Sequence, residues 1–129
     1  MPYIDLHLSS APNEEQAATL AQGITDAMVT ITHKRREVTA VRIAAESILW
    51  SIAGERCSTP TAYMEVKITE NTNSADEKAA LLQRLYQLLH DTLGGLAEAS
   101  YIVIHELPAK NWGYAGISQS ARALRKQLT

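Results

Sequence analysis

The sequence predicts an α+β domain built from two tandem β-α-β repeats, giving a four-stranded sheet with two helices on one face. Three observations carry that prediction. Pro2-Tyr3-Ile4-Asp5-Leu6-His7-Leu8 and Ala62-Tyr63-Met64-Glu65-Val66-Lys67-Ile68 match in polarity at every position after the first. Each segment leads to a helix-capping signature followed by an apolar stripe at helical spacing. Beyond each helix, Val38 through Gly54 aligns with Ser100 through Gly116 at a constant offset of 62 residues. The offset is 60 in the first strands and 61 at the helix caps, so register holds within elements and shifts only in the connections.

The elements follow in order. Residues 2–8 alternate, with Ile4, Leu6 and Leu8 beside Pro2 on one face and Tyr3, Asp5 and His7 on the other, as a half-buried strand requires. Asn13 with Gln16 reads as a capping box, and Leu20, Ile24, Met28 and Ile31 form the apolar stripe of the first helix. That helix is expected to end near His33-Lys34-Arg35-Arg36, a basic cluster that would complement its dipole. A strand containing Val41-Arg42-Ile43 and a tail with Trp50-Ser51-Ile52-Ala53-Gly54 complete residues 1–54, the first repeat. Residues 55–61 read as a linker and 62–129 as the second repeat, the two packing as one compact domain. In the second copy Ser74 and Glu77 form the capping box, and Leu81, Leu82, Leu85, Leu88, Leu89 and Leu93 form the stripe before Gly94-Gly95. Strand, helix, strand within about 50 residues is the signature of a parallel unit with a right-handed crossover. One unit alone cannot bury its own sheet face, so the two share a core.

Composition narrows the function. The chain has 129 residues, 46% hydrophobic and 20% charged, with a net charge of −2. That balance gives no electrostatic footprint for nucleic acid. No apolar run approaches the roughly 20 residues needed to span a bilayer, so no membrane association is expected. No signal-peptide pattern opens the chain. The single cysteine, Cys57, forms no internal disulfide, and the expectation is a cytoplasmic protein. The four histidines show no paired metal-ligand spacing, and no phosphate loop or Ser-His-Asp arrangement can be read, so neither metal nor cofactor is expected.

The asymmetry between the copies is the chemical clue. A small second residue such as Pro2 lets the initiator methionine be removed, leaving a secondary amine at the chain start. A terminal amine ordinarily titrates at about 7.7–8.0, so modest tuning makes it an acid or a base near neutrality. Ala62, at the matching position, lies mid-chain and is never a terminus. Burial and a nearby guanidinium both lower an amine's pKa, and Arg42 is the candidate guanidinium because its aligned residue is the apolar Ile104.

The proline-initiated strand, the helix, the arginine-bearing second strand and the Trp50 and Trp112 tails together resemble the tautomerase superfamily, in particular a fused, two-copy 4-oxalocrotonate tautomerase. The resemblance covers residues 2–120, and Asn111-Trp112-Gly113-Tyr114-Ala115-Gly116 is its most recognisable stretch. It implies that Pro2 is the catalytic group and that Arg42 binds a substrate carboxylate and steadies developing negative charge. It also implies that Trp50 or Trp112 walls the site, that the substrate is a small-molecule carboxylate, and that six units assemble as a homotrimer. Family sites form between repeats and subunits, which leaves open whether Trp112 or Trp50 faces Pro2 and whether Arg42 serves a neighbouring chain. The family's other arginine, before the first helix, is matched by Pro12 and Thr72, which argues against a dicarboxylate held at both ends.

The expected activity is a cofactor-free tautomerase or isomerase using the Pro2 amine as general base on a 2-hydroxy-dienoate or enolpyruvate-type acid. Two alternatives stay open. Pro2 as a general acid would shift the chemistry to hydration, as in the superfamily's cis-3-chloroacrylic acid dehalogenase and malonate semialdehyde decarboxylase members. A non-enzymatic oligomeric binding protein with a vestigial site is the other.

Overall fold

The computed structural model describes residues 1–45 and 49–128. Positions 46–48, within the aligned second-strand stretch of the first copy, lie outside the described residues. Strand β1 (Tyr3–Leu8) is followed by helix α1 (Glu14–Thr30), a single 3₁₀ turn (Arg36–Val38) and strand β2 (Ala40–Ala45). A two-stranded hairpin of β3 (Ser51–Ile52) and β4 (Glu55–Arg56) comes next, so part of the stretch read as a linker is itself a strand. The second copy repeats the pattern with β5 (Ala62–Thr69), α2 (Ala75–Leu93), β6 (Tyr101–Leu107) and a hairpin of β7 (Gly113–Tyr114) and β8 (Ile117–Ser118). A third helix, α3 (Gln119–Leu128), closes the chain and is an addition to the expected elements.

The main sheet runs β2-β1-β5-β6. Strands β1 and β2 are parallel, as are β5 and β6, and the two central strands meet antiparallel with Asp5 opposite Glu65. An approximate twofold axis therefore passes between β1 and β5. Ile4, Leu6 and Leu8 from β1 and Met64, Val66 and Ile68 from β5 are buried against Leu20, Ile24 and Met28 of α1 and Leu81, Leu85 and Leu89 of α2. The strict alternation of buried and half-buried positions along both central strands follows from the two-residue period of a strand with helices on one face only. Both capping boxes form, Asn13 with Gln16 and Ser74 with Glu77. Each satisfies two backbone N–H groups that a helix start otherwise leaves unpaired.

The other sheet face carries Tyr3, Asp5, His7, Tyr63, Glu65, Lys67 and His105, with no helix among the described residues over it. Tyr101 on edge strand β6 is 66% exposed. The hairpins turn at Ala53-Gly54 and Ala115-Gly116, all four at positive φ. Two-residue hairpin turns require that left-handed conformation to match strand twist, which explains the glycine in each pair. No helix among the described residues is long and apolar enough to cross a membrane.

Candidate active site

Strand β1 begins where β5 ends, since Tyr3 pairs with Lys67 across the two central strands. Pro2 is buried at this end, and its carbonyl accepts the Ala40 N–H at 3.4 Å. A cleft of about 590 Å³ opens beside Met1. Arg35 and Val38 form one wall, Tyr114 of β7 another, and Gln119 and Arg122 of α3 a third, with Arg125 and Lys126 at the α3 side.

Local backbone chemistry explains how two cations reach the chain start. Helix α1 ends at Thr30 with no basic residue in its last turn. The basic cluster therefore does not cap the dipole, contrary to the sequence reading. His33 adopts a left-handed conformation (φ 59°), which reverses the chain, and Lys34 N–H bonds the Met28 carbonyl at 3.0 Å. The turn carries Lys34 and Arg35 away from the helix axis and toward Met1. The second copy reaches the same chain reversal with Gly94 at φ 72°.

Lys34 is 9% exposed, and its Nζ donates to Thr72 Oγ1 at 2.9 Å. Burial lowers its pKa, while Glu77 and Glu106 pull in the opposite direction. Arg35 Nη1 donates to the Tyr114 hydroxyl at 3.4 Å, and its Nε to Glu37 at 3.3 Å. Arg122 lies over the Tyr114 ring, 3.6 Å from its centroid, and donates to the Tyr114 carbonyl at 2.9 Å. Tyr114 is thus held between two guanidinium groups from distant parts of the chain. The pKa of the Met1 amine is lowered to about 6 by burial first, then by the charges of Lys34 and Arg35. An amine so placed is mostly neutral at pH 7 and can take a proton.

A family model described as "Tautomerase enzyme" matches residues 63–122, the copy that lacks the proline. The probable tautomerase K2 of Dickeya dadantii (strain 3937) is 33% identical over 60 residues, 46% of this chain and 90% of that protein. The chain belongs to the tautomerase family. Two solved structures share the tautomerase fold across almost the whole chain. One, described as "Q0 fused 4-OT wild type symmetric trimer", has a TM-score of 0.82 at 18% identity and covers 93% of this chain and 98% of its own. The other, Pt0534 inactivated by 2-oxo-3-pentynoate, has a TM-score of 0.83 at 20% identity with the same coverage. At these identities the likeness bears on the fold.

Within one tautomerase chain the expected site residues are divided between the two ends of the sheet. Trp112 lies at the Pro2 end, where its Nε1 donates to Thr69 Oγ1 at 3.2 Å. Trp50 lies at the opposite end of β1, lining a shallow cleft with His7, Leu49 and Tyr63 on the open face. Arg42 is 61% exposed on that same open face, with its Nη1 3.6 Å from Asp5 Oδ2. It pairs in register with Asp5, three residues along the strand from Pro2. The cations flanking the chain start are Lys34 and Arg35, and the aromatic ring lining the cleft is Tyr114. Their sequence signal was the same repeat that exposed Pro2: at an offset of 62, Lys34 and Arg35 align with Leu96 and Ala97, and Tyr114 aligns with Ile52.

Proposed function

We propose that this tautomerase works without a cofactor and that, once Met1 is removed, the Pro2 secondary amine is its general base. The substrate class is a small 2-hydroxy-dienoate or enolpyruvate-type acid. The neutral amine takes the enol O–H proton, and the resulting ammonium returns a proton to carbon, giving the 2-oxo acid. Arg35 at the cleft wall pairs with the substrate carboxylate and opposes charge growing on the adjacent enolate oxygen. Lys34 adds its charge from behind, and Tyr114 covers the site against water, which strengthens both interactions.

The observation that carries this reading is the pair of cations, Lys34 and Arg35, set against a buried chain start, where burial and then both charges lower the pKa of the Met1 amine to about 6. Such a shift favours a base over an acid at neutral pH. The sign follows directly: the same burial and charges lower the Pro2 amine, below its pKa the base is protonated and silent, and kcat/KM therefore rises with pH through a limb below the ordinary range of a terminal amine and then levels. Intact mass spectrometry of protein from the cell, combined with that profile on phenylenolpyruvate, is the test. Retention of Met1, or activity that falls as pH rises through the same range, overturns the assignment. The falling profile would favour the acid role and hydration chemistry.

Six β-α-β units around a threefold axis, two per chain, would make the protein a homotrimer. Support comes from the open sheet face, from the exposed edge residue Tyr101, and from the fused relative described as a symmetric trimer. In such an assembly Arg42 serves a neighbouring chain's site. Light scattering should give three times the 14.2 kDa chain mass. A monomer at micromolar concentration removes the proposed role of Arg42.

A further inference from the structure

One cation flanking the chain start is itself held by the other copy. Lys34 is 9% exposed, and no carboxylate among the described residues lies close enough to its Nζ for an ion pair. Glu77 and Glu106 act on it from farther away. Its direct partner is the Thr72 hydroxyl, at 2.9 Å. A buried ammonium without an acceptor keeps the cost of its lost hydration, so this contact decides where Lys34 can sit. The hydroxyl is oriented for the task. Thr72 Oγ1 donates its single proton to the Thr69 carbonyl at 2.6 Å, with Asn73 Oδ1 farther off at 3.3 Å. With the proton so engaged, a lone pair is left for Lys34. The same loop grips the turn twice more. Asn73 Nδ2 donates to the Thr32 carbonyl at 3.1 Å and to Glu77 Oε1 at 3.2 Å, and Glu77 Oε2 lies 3.2 Å from His33 Nε2. Residues 32–34 are thus fastened to the start of α2 on both sides of the left-handed His33. The loop before α1 offers Ala11 and Pro12 instead, neither with a hydrogen-bonding side chain, and the counterpart of Lys34 is Leu96. The hydroxyl stands where a cation needs an acceptor and is missing where an apolar side chain does not.

We propose that Thr72 is a positioning residue of the active site: its hydroxyl holds the Lys34 ammonium against the chain start, so the copy without an amine sets the charge beside the amine of the other. The proposal rests on the Pro2 chemistry above and deepens it by giving the loop between β5 and α2 a part in tuning the base. The amine is faced by Lys34 and Arg35 from the turn and by Tyr114, Arg122, Arg125 and Lys126 across the cleft. Lys34 is faced by Glu77 of α2 and by Glu106 of β6, which is paired with Lys78 at 2.7 Å. Without the hydroxyl, the ammonium either releases its proton or swings into water. Both remove positive charge from the surroundings of the amine, so the amine holds its proton to higher pH.

The test is Thr72→Val, which keeps the shape of an exposed side chain and deletes its hydroxyl. Two readouts are followed across pH in the full chain. One is kcat/KM on phenylenolpyruvate; the other is labelling of the terminal amine by phenyl isothiocyanate, read by mass mapping of the N-terminal peptide. Both rising limbs should move to higher pH, and labelling at pH about 6 should slow about threefold, the scale of one partly screened charge. Thr72→Ser should restore both. In a Lys34→Gln background Thr72→Val should move neither limb further, because Thr72 acts through Lys34. The labelling limb decides. If it stays at its wild-type position in Thr72→Val, the proposal is overturned even though the enzyme turns over enols. A shift that Thr72→Ser does not reverse, or that persists undiminished in the Lys34→Gln background, overturns it as well. If wild-type protein shows no turnover, yet Thr72→Val moves the labelling limb and Lys34→Gln abolishes that movement, the positioning role stands and the Pro2 chemistry falls.

Discussion

The two ends of the central sheet have nearly the same backbone and opposite chemistry. At one end Pro2 is flanked by Lys34, Arg35 and Tyr114. At the other, Ala62 is flanked by their counterparts Leu96, Ala97 and Ile52, and a cleft of about 530 Å³ there is lined by Ile52, Ala97, Glu98 and Ser100. Arg36 aligns with Glu98, so the sign of the charge inverts as well. Val38 aligns with Ser100, whose Oγ accepts the Ala62 N–H at 3.0 Å. The second copy thus pins its first strand with a hydroxyl, where the first copy offers an apolar side chain and two cations. A repeated scaffold costs little to keep, whereas a tuned amine needs burial and positive charge around it. Burial and flanking positive charge coincide at the Pro2 end, as the proposed amine chemistry requires.

Removing the amine should break the comparison most sharply. Pro2→Ala leaves a primary amine of different geometry and basicity, and kcat/KM on phenylenolpyruvate should fall about 100-fold, within the usual range for a general base. Circular dichroism should show the fold intact. Activity within about twofold of wild type would place catalysis elsewhere. The reverse substitution, Ala62→Pro, should create no second site and should destabilise the protein, because the N–H bonded to Ser100 is lost.

Exchanging the flanking residues between copies should have the next largest effect. Lys34→Leu and Arg35→Ala install what the second copy carries at the equivalent positions, so the backbone has a precedent for both. Each loses a positive charge of the kind that lowers the Met1 amine, so the lowered pKa of the proposed Pro2 base moves back up toward its ordinary value. The rising limb of kcat/KM should move to higher pH by the same amount, and Arg35→Ala should also raise KM about tenfold through the lost carboxylate partner. An unmoved limb in both variants would mean that burial alone sets the amine.

Arg42→Ala is expected to act more weakly and in a different way. One of its contacts within the chain is Asp5, and the role proposed for it depends on a neighbouring copy. A loss of about twofold in each of kcat and 1/KM is expected, together about 1 kcal/mol of lost interaction at an exposed position. Unchanged kinetics in a protein that still scatters as a trimer would leave Arg42 with a structural role that includes its contact with Asp5.

These contrasts also show what was legible in the chain. Strands β1 and β5 could be read because sheet burial is one-sided, and Ile4, Leu6, Met64 and Val66 obey the two-residue period without exception. Both helix starts could be read because capping boxes are local. Helix α3 could not, because Gln119-Ser120-Ala121-Arg122-Ala123-Leu124 carries no buried apolar stripe and its Leu124 and Leu128 are exposed. The cleft was illegible for a related reason. Arg35, Tyr114 and Arg122 meet only through the antiparallel pairing of β1 with β5, which brings the end of one copy over the start of the other. The basic cluster was visible but misplaced, since a left-handed His33 ends the approach to a helix terminus that composition alone favoured.

The smallest predicted effect tests whether the two hairpins are equivalent as scaffold and different as function. Ala53 and Ala115 occupy the first positions of matched turns at φ 57° and 53°. An L-residue with a Cβ pays about 1–2 kcal/mol to sit there, and replacement by glycine recovers that less the greater freedom of glycine in the unfolded chain, about 0.5–1 kcal/mol. Ala53→Gly and Ala115→Gly should therefore each raise the urea midpoint slightly and to the same extent. Their kinetics should differ. Ala115 follows Tyr114, whose ring and carbonyl hold Arg122 and whose hydroxyl accepts from Arg35, so a looser turn there relaxes the cleft wall. Ala115→Gly should raise KM about twofold, while Ala53→Gly, at the end without the amine, should leave it unchanged. Equal kinetics in the two variants would show that the cleft is held by α3 and the Lys34–Arg35 turn, with no help from the geometry of its hairpin.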